Sequence, residues 1–464
     1  MVFSSLTFLA LFLPVFLVGF CVLADTPWRF PFLLAVSLWF YAWGEPVMVV
    51  VMLVSIAVNY TAGRLLDQPP GMLRKGAILT AAIAFNLILL IGFKYTHFLV
   101  TAVAPVLAWP SSWAQATARI PLPLGISFVT FHGLSYVVDV GKGRIKGEQS
   151  LVRFAAYISM FPHLIAGPIV RYADIREELD HPVRIGPGAI WSGLGTFVFG
   201  LMAKVLLANP CGAVADAIFS VRPDELTTSA AWLGASAYFF QIFFDFSGYS
   251  TMAIGLGRCC GFTFPKNFDQ PYRSSSITEF WRRWHMTLSR FFRDYVYIPM
   301  GGNRRGSART ALNLLAVFFL CGLWHGAAWT FVIWGAYHGT FLVLERLLRQ
   351  RGIEPQGWPG TLYATVVVMI GWVFFRSDGY SQAVRYLRTM AGFGRGWRQV
   401  PEFASPGTLA LLLVAATVAY WPANSPSYVR SPNWVRTTAL TVGGLASAWF
   451  LIIGTHNPFI YYRF

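Results

Sequence analysis

The sequence predicts an all-α, polytopic membrane protein, and three observations carry that expectation. Of its 464 residues, 56% are hydrophobic and only 12% are charged, where a soluble domain carries about 25% charged residues. Apolar runs recur along the whole chain, and the mean hydropathy is +0.54. The net charge of +16 gathers in short segments between those runs. That is the positive-inside pattern of a membrane protein, so membrane lipids are the expected surroundings and nucleic acid is excluded as a partner.

The apolar runs fall near 3–23, 30–62, 76–93, 121–138, 151–170, 188–208, 230–256, 310–342, 360–375, 407–421 and 436–453. With about 20 residues needed per span, they predict roughly 9–13 crossings. No Lys or Arg precedes the first run, which reads as a retained spanning helix rather than a cleaved signal. The second run breaks at Trp43-Gly44-Glu45-Pro46, the mark of a tight helical hairpin. The run 360–375 is short for a full span, as re-entrant segments buried in protein can be. The longest polar connections, near 257–309 and 343–359, leave no room for a soluble domain. Residues 1–464 therefore read as a single membrane-embedded unit.

Charge sorting gives a topology. Segments 63–75, 141–153 and 343–351 are basic, and 258–309 holds ten Lys and Arg against Asp269, Glu279 and Asp294. These segments are expected to face the cytoplasm. The connection 171–184 mixes bases with Asp174, Glu177, Glu178 and Asp180, which leaves its side open. Cys21, Cys211, Cys259, Cys260 and Cys321 form no CxxC pair and read as packing residues.

The segment Ser276–Tyr295, SITEFWRRWHMTLSRFFRDY, differs from the spans. Ser276 with Glu279 fits a capping box at a helix start. Ile277, Phe280, Trp281, Trp284, Leu288, Phe291, Phe292 and Tyr295 recur at helical spacing. Between them lie Arg282, Arg283, Arg290 and Arg293, so the segment predicts one interfacial helix. His285 falls beside the aromatic stripe, where it can serve packing as well as chemistry. In YVYIPMGGNRRG, Pro299 ends the helix, Gly301-Gly302-Asn303 permits a tight turn, and Arg304 and Arg305 offer donors to a phosphate or carboxylate.

The run CGLWHGAAWTFVIWGAYHG, residues 321–339, sets His325 and His338 among apolar side chains. His325 lies about 24 Å along a helix that begins after Arg309. An ionisable residue at such depth is a functional-site hypothesis by default, and imidazole suits proton transfer. Gly322 and Gly326 permit close helix packing or a break beside it. The 13-residue spacing to His338 and the lack of a nearby acidic or Cys ligand set argue against a metal site. A structural histidine bonded across packed helices remains the competing reading.

At these motifs the chain resembles the membrane-bound O-acyltransferase family, within it the branch that acetylates exported polysaccharides such as alginate. The resemblance runs from MVFSSLTFL and FYAWGEP through PLPLGISFVTFHGLSYVVDV at 121–140, FPHLIAGPIVRY at 161–172 and DFSGYSTMAIGLG at 245–257. It is most specific in the 264–304 segment that contains WRRWH and in the WHG motif, and it ends in NPFIYYRF. It implies a helical core around a central tunnel or funnel. It gives His325 of WHG the central catalytic role and His285 of WRRWH a supporting one. Asn303 and Asp294 stand in the adjoining motif, and Arg304 follows as a supporting or substrate-binding residue. His163 stands where many relatives carry Gln, and with His132, His338 and His456 it stays outside the expected site. Ser289 and Cys321 read as bystanders.

The implied function is O-acetylation of an exported polysaccharide by a bacterial inner-membrane enzyme. Acetyl-CoA would be the donor substrate on the cytoplasmic side, with no tightly bound cofactor and no metal. Periplasmic polysaccharide acetyltransferase subunits and the polymer itself would be partners. Two other classes remain: a transporter of an acylated carrier, and a scaffold for periplasmic transferases. The acceptor, whether alginate, cellulose or peptidoglycan, is left open.

Overall fold

The computed structural model describes residues 2–68, 71–394, 396–421, 433–454 and 457–458. Helices dominate it. The one sheet-like pairing among the described residues is an isolated parallel bridge between Leu226 and Arg398. Six helices are long and apolar enough to cross a membrane, with bounds Val49–Asp67, Leu73–Leu107, Pro187–Phe219, Gly306–His325, Gly357–Arg376 and Trp434–Ile452. Shorter apolar helices include Phe8–Leu23, Arg29–Ala42, Ile126–Gly141 and Pro406–Tyr420. The protein is thus the all-α, multi-pass membrane protein that its composition predicts.

Several expected elements shift. The hairpin around Trp43 forms, between helices Arg29–Ala42 and Val49–Asp67. The run read as 76–93 is part of a longer helical stretch that passes a π-turn at Ile91–Tyr95 and continues to Leu107. Lys94 and the residues around it broke the apolar run without breaking the helix. The segment read as too short, 360–375, is a 20-residue helix, because Gly357–Gly360 and Arg376 extend it beyond the apolar stretch. The run 151–170 divides into Leu151–Ser159 and the single turn Phe161–Leu164, with Pro162 at the second helix's start.

The chain falls into two compact units, residues 1–194 with 253–265, and residues 195–252 with 266–464. In the first, Phe8, Phe12, Phe16, Phe40 and Phe161 form one aromatic cluster, with Phe161 edge-on to Phe16 at 4.9 Å. Asn59 and Asn86 exchange amide hydrogen bonds of 2.7 and 3.2 Å, a reciprocal pair that satisfies two buried amides at once. Gly133 makes room for them, since a Cβ there would lie 2.7 Å from Asn59 Nδ2.

In the second unit, helices Gly306–His325 and Trp329–Arg349 form a close antiparallel hairpin. Gly322 lets its backbone meet the Phe331 carbonyl, and Gly335 meets that of Phe318. Small residues at such crossings let helix backbones approach where lipid supplies no hydrophobic drive. A buried ion pair, Lys204 to Asp245 at 2.9 Å, joins helix Thr228–Cys259 to the π-turn Ala203–Ala208. Lys204 also donates to the Pro458 carbonyl. Of the terminal NPFIYYRF motif, only Asn457 and Pro458 belong to the described residues.

Candidate active site

The expected interfacial helix is two short helices, Ile277–Arg283 and Met286–Phe292. Trp284 is extended and His285 takes φ 42°, ψ 54°, a left-handed backbone that few non-glycine residues adopt. The break corrects the reading of one continuous stripe. The apolar spacing runs unbroken across the two halves, so periodicity alone could not reveal it. Ile277, Phe280, Trp281, Trp284, Leu288, Phe291 and Phe292 are buried in the protein.

The first short helix is held at both sides of its start. Ser276 Oγ accepts from Glu279 N at 3.0 Å, as the capping box requires, while Glu279 turns back to Ser275. The buried carboxylate of Glu345 accepts from Ile277 N at 2.6 Å, Thr278 N at 2.8 Å and Thr278 Oγ1 at 2.6 Å. A carboxylate at a helix N-terminus satisfies orphan N–H groups and faces the positive end of the helix. Sequence reasoning missed Glu345. Its signal was a lone carboxylate in the buried stripe that also holds His338 and Leu342.

At the break, His285 is fully buried. Its Nδ1 lies 3.0 Å from Asn267 Oδ1. That oxygen also accepts from Thr287 N at 3.3 Å and Thr287 Oγ1 at 2.8 Å, and Asn267 Nδ2 donates to Ser250 Oγ at 3.0 Å. The Thr287 N–H is an obligate donor, so the facing atom is the amide oxygen and Nδ1 of His285 carries the proton. Nε2 then presents a bare lone pair, and it has no hydrogen-bond partner among the described residues. Burial lowers the His285 pKa from its ordinary 6.5 to about 3, so the ring is neutral.

His325 is the last residue of helix Gly306–His325, which Gly326 ends in an extended conformation. The glycines flanking His325 therefore do both things the sequence allowed: Gly322 packs closely and Gly326 breaks the helix. His325 is 7% exposed. It stands edge-on to Trp324, Trp334 and Phe375, at 4.8, 5.1 and 5.2 Å. Trp324 also lies 5.8 Å from the His285 ring, which Phe246 meets edge-on at 4.7 Å. Both expected histidines thus touch one indole, in a buried setting where His285, neutral and with its tautomer fixed by Asn267, can accept a hydrogen bond.

The other expected residues lie elsewhere. Asp294 pairs with Arg293 at 2.7 Å. Asn303 and Arg304 are exposed in a turn built on positive φ at Gly301 and Gly302, and Asn313 Nδ2 braces it through the Gly302 carbonyl at 2.9 Å. No hydrogen bond links Asn303 or Arg304 to either histidine among the described residues. Ser289 spends its hydroxyl on the Trp281 carbonyl at 2.9 Å, and Cys321 is buried. In the first unit His132 and His163 stack at 4.5 Å. His338 is buried beside Trp281 and Trp334. His456 lies outside the described residues. Besides Glu345, sequence reasoning missed Asn267, which lies in a loop 18 residues before the histidine it orients. It also missed Lys204 and Asp245, charged residues inside apolar runs.

The membrane-bound O-acyltransferase family model matches residues 125–375, a span that contains both histidines. The probable alginate O-acetylase AlgI of Azotobacter vinelandii is 42% identical over 400 residues, covering 85% of this chain and 79% of the relative. The protein of the same name from Pseudomonas aeruginosa is 40% identical over 90% of this chain and 80% of its own length. A peptidoglycan O-acetyltransferase from Helicobacter pylori is 31% identical, with 100% of this chain and 98% of the relative aligned.

Proposed function

The chain belongs to the membrane-bound O-acyltransferase family, and from that premise we propose that it passes acetyl groups from a cytoplasmic donor across the inner membrane to an exported polysaccharide. It is a multi-pass O-acyltransferase of the bacterial inner membrane. Acetyl-CoA is the donor that the reading names, alginate or a similar glycan the acceptor, and periplasmic acetyltransferase subunits the partners. Residues 1–464 act in it as one transferase unit. The similarity to relatives named for alginate and for peptidoglycan supports a carbohydrate polymer as acceptor.

One observation supports the chemistry above the rest: His285 is fixed as the Nδ1–H tautomer, bare at Nε2, and shares Trp324 with His325. In the proposed step, a hydroxyl oxygen attacks the thioester carbonyl while His325 takes the hydroxyl proton as general base. The ester C–O bond forms, the C–S bond breaks, and the leaving thiolate recovers the proton from His325. His285 Nε2 accepts a hydrogen bond from a second hydroxyl of the sugar and fixes its orientation. Its low pKa suits an acceptor and disfavours a role as proton donor to the leaving group. Asn303, Asp294 and Arg304 fall outside this step and are assigned a supporting role in substrate binding: Asn303 and Arg304 toward the anionic donor or acceptor, and Asp294 by holding Arg293 in place.

The test is transfer in membranes that contain the protein and its partners, supplied with acetyl-labelled CoA. Label in the polysaccharide together with released free thiol is the expected result. Movement of label without thiol release would mean transport instead.

A further inference from the structure

Lys204 and Asp245 carry charge inside apolar runs, and the acyl-transfer step uses neither. Their side chains are each 2% exposed and pair at 2.9 Å. A charge inside a membrane protein's interior marks a functional role by default. Stability alone does not call for it, since two apolar side chains of similar volume often hold a fold as well as a buried ion pair, or better. Removing one partner alone, in contrast, leaves the other buried without its counter-charge.

Both residues stand on elements of the second unit that lead to the candidate active site. Asp245 lies on helix Thr228–Cys259 directly before Phe246, whose ring meets His285 edge-on at 4.7 Å. On the same helix Ser250 Oγ accepts from Asn267 Nδ2 at 3.0 Å, and Asn267 orients His285. The position of this one helix therefore sets both the aromatic wall of His285 and the support of its amide partner. Lys204 stands in the π-turn Ala203–Ala208, where the Asn209 N–H donates to the Lys204 carbonyl. The wider turn stacks Asn209 over Lys204, five residues apart. Lys204 Nζ donates to the Pro458 carbonyl as well as to Asp245, and Asn209 Nδ2 donates to Asn457 Oδ1 at 3.2 Å. Backbones meet beside the pair: a Cβ on Gly200 would lie 2.5 Å from the Gly248 carbonyl oxygen, and one on Gly248 would lie 2.7 Å from that of Gly200.

We propose that Lys204 is a positioning residue for acyl transfer. It ties helix Thr228–Cys259 to the chain end at Asn457–Pro458, and so holds Phe246 and Ser250 in register with His285 and Asn267. Apolar contact is non-directional and lets one helix slide on another. An ammonium that serves a carboxylate on one element and a carbonyl on another fixes a single register. Lys204 touches neither substrate nor reacting atoms and acts through His285. A transfer site needs its groups held to within about 0.5 Å by the residues behind them. The effect on turnover rests on the acyl-transfer reading, whereas the effect on the surroundings of His285 does not.

The test variant combines Lys204→Met with Asp245→Leu, which removes both charges and keeps the volume. Membrane abundance and thermal unfolding should match the wild type. The full chain is labelled at histidine with an NMR-active nitrogen isotope, and the His285 imidazole signals are assigned by their loss in His285→Gln. In the double variant those signals should move, and kcat for acetyl transfer should fall about tenfold or more with KM for acetyl-CoA unchanged. Lys204→Arg, which keeps the pair, should restore most of both. Unmoved signals would overturn the proposal whatever happens to kcat, and so would moved signals with wild-type kcat. Asn457→Ala covers the case in which the double variant does not fold. It leaves the ion pair in place and loosens the chain end, so the same signals should move by less, and unmoved signals there would overturn the proposal too. A wild type that releases no thiol from acetyl-CoA would instead sink the acyl-transfer reading, with the movement of the His285 signals still deciding what Lys204 positions.

Discussion

The Nδ1 atom of His285 lies 3.0 Å from Oδ1 of Asn267, a residue 18 positions earlier, and this contact decides which imidazole nitrogen is free. Because the same oxygen also receives two donors from Thr287, the amide cannot turn over without setting its NH2 group against an N–H. The proposed role of His285 rests on that constraint.

Asn267→Ala removes the acceptor that lies 3.0 Å from His285 Nδ1 and leaves that N–H donor buried. An unsatisfied buried donor costs about 1–3 kcal/mol. Acetyl transfer per molecule of protein should fall roughly 10- to 100-fold, measured in membranes at matched abundance. Wild-type transfer with Ala at 267 would remove the fixed tautomer from the mechanism.

Glu345→Ala should unfold early. It deletes one carboxylate that accepts three hydrogen bonds at the start of helix Ile277–Arg283. With hydrogen bonds to charged groups at about 1.5–3 kcal/mol each and part of the loss recovered by water, a net cost of about 2–4 kcal/mol follows. Thermal unfolding of purified protein checks this. Glu345→Gln, which keeps one accepting oxygen, should fall between Ala and the wild type.

Gly335→Ala places a methyl group against the Phe318 carbonyl, a backbone atom that a rotamer change cannot move. The hairpin that carries His325 must open. Overpacking of a tight contact costs about 1–3 kcal/mol or more, so the variant should reach the membrane at reduced abundance and lose transfer per molecule. Gly352→Ala, where nothing lies within 4 Å of the added atom but φ is positive, serves as the comparison. It should lose stability through backbone strain alone and keep transfer per molecule.

His285 also sets a pH dependence. Its folded pKa, about 3, lies below the ordinary 6.5. Below pH 6.5 the unfolded chain binds the proton and the folded protein does not, so stability falls as the pH falls and is unaffected above that value. Between pH 6.5 and 5 the loss from this one group is roughly 1.5 kcal/mol. Unfolding temperatures of the wild type and His285→Gln should therefore diverge on acidification, with the wild type losing more. Parallel curves would mean that His285 is not buried neutral.

The fold class was legible because it depends on composition and run length, which are local. The hairpin at Trp43 and the span around His325 could be read for the same reason. The break at Trp284-His285 could not, since the apolar spacing of Phe280, Trp284 and Leu288 continues through it, and the amide that receives the bent segment's donors is distant in sequence. Asn267 and Glu345 act across 18 and 68 positions, and no periodicity reports a contact of that reach. Lys204 and Asp245 are different. Each is a charge inside an apolar run, the same signal that singled out His325, and the two are partners in the buried pair.

The central claim is that His325 and His285 carry acyl transfer, and acetyl ester on the exported polysaccharide tests it most directly. Cells would carry the wild type, His325→Ala or His285→Gln, with protein abundance, membrane insertion and total polymer matched. The expected result is near-complete loss of ester with His325→Ala and a partial loss with His285→Gln, whose amide can still accept a hydrogen bond. Near-normal ester in His325→Ala cells would contradict the claim and return that histidine to helix packing.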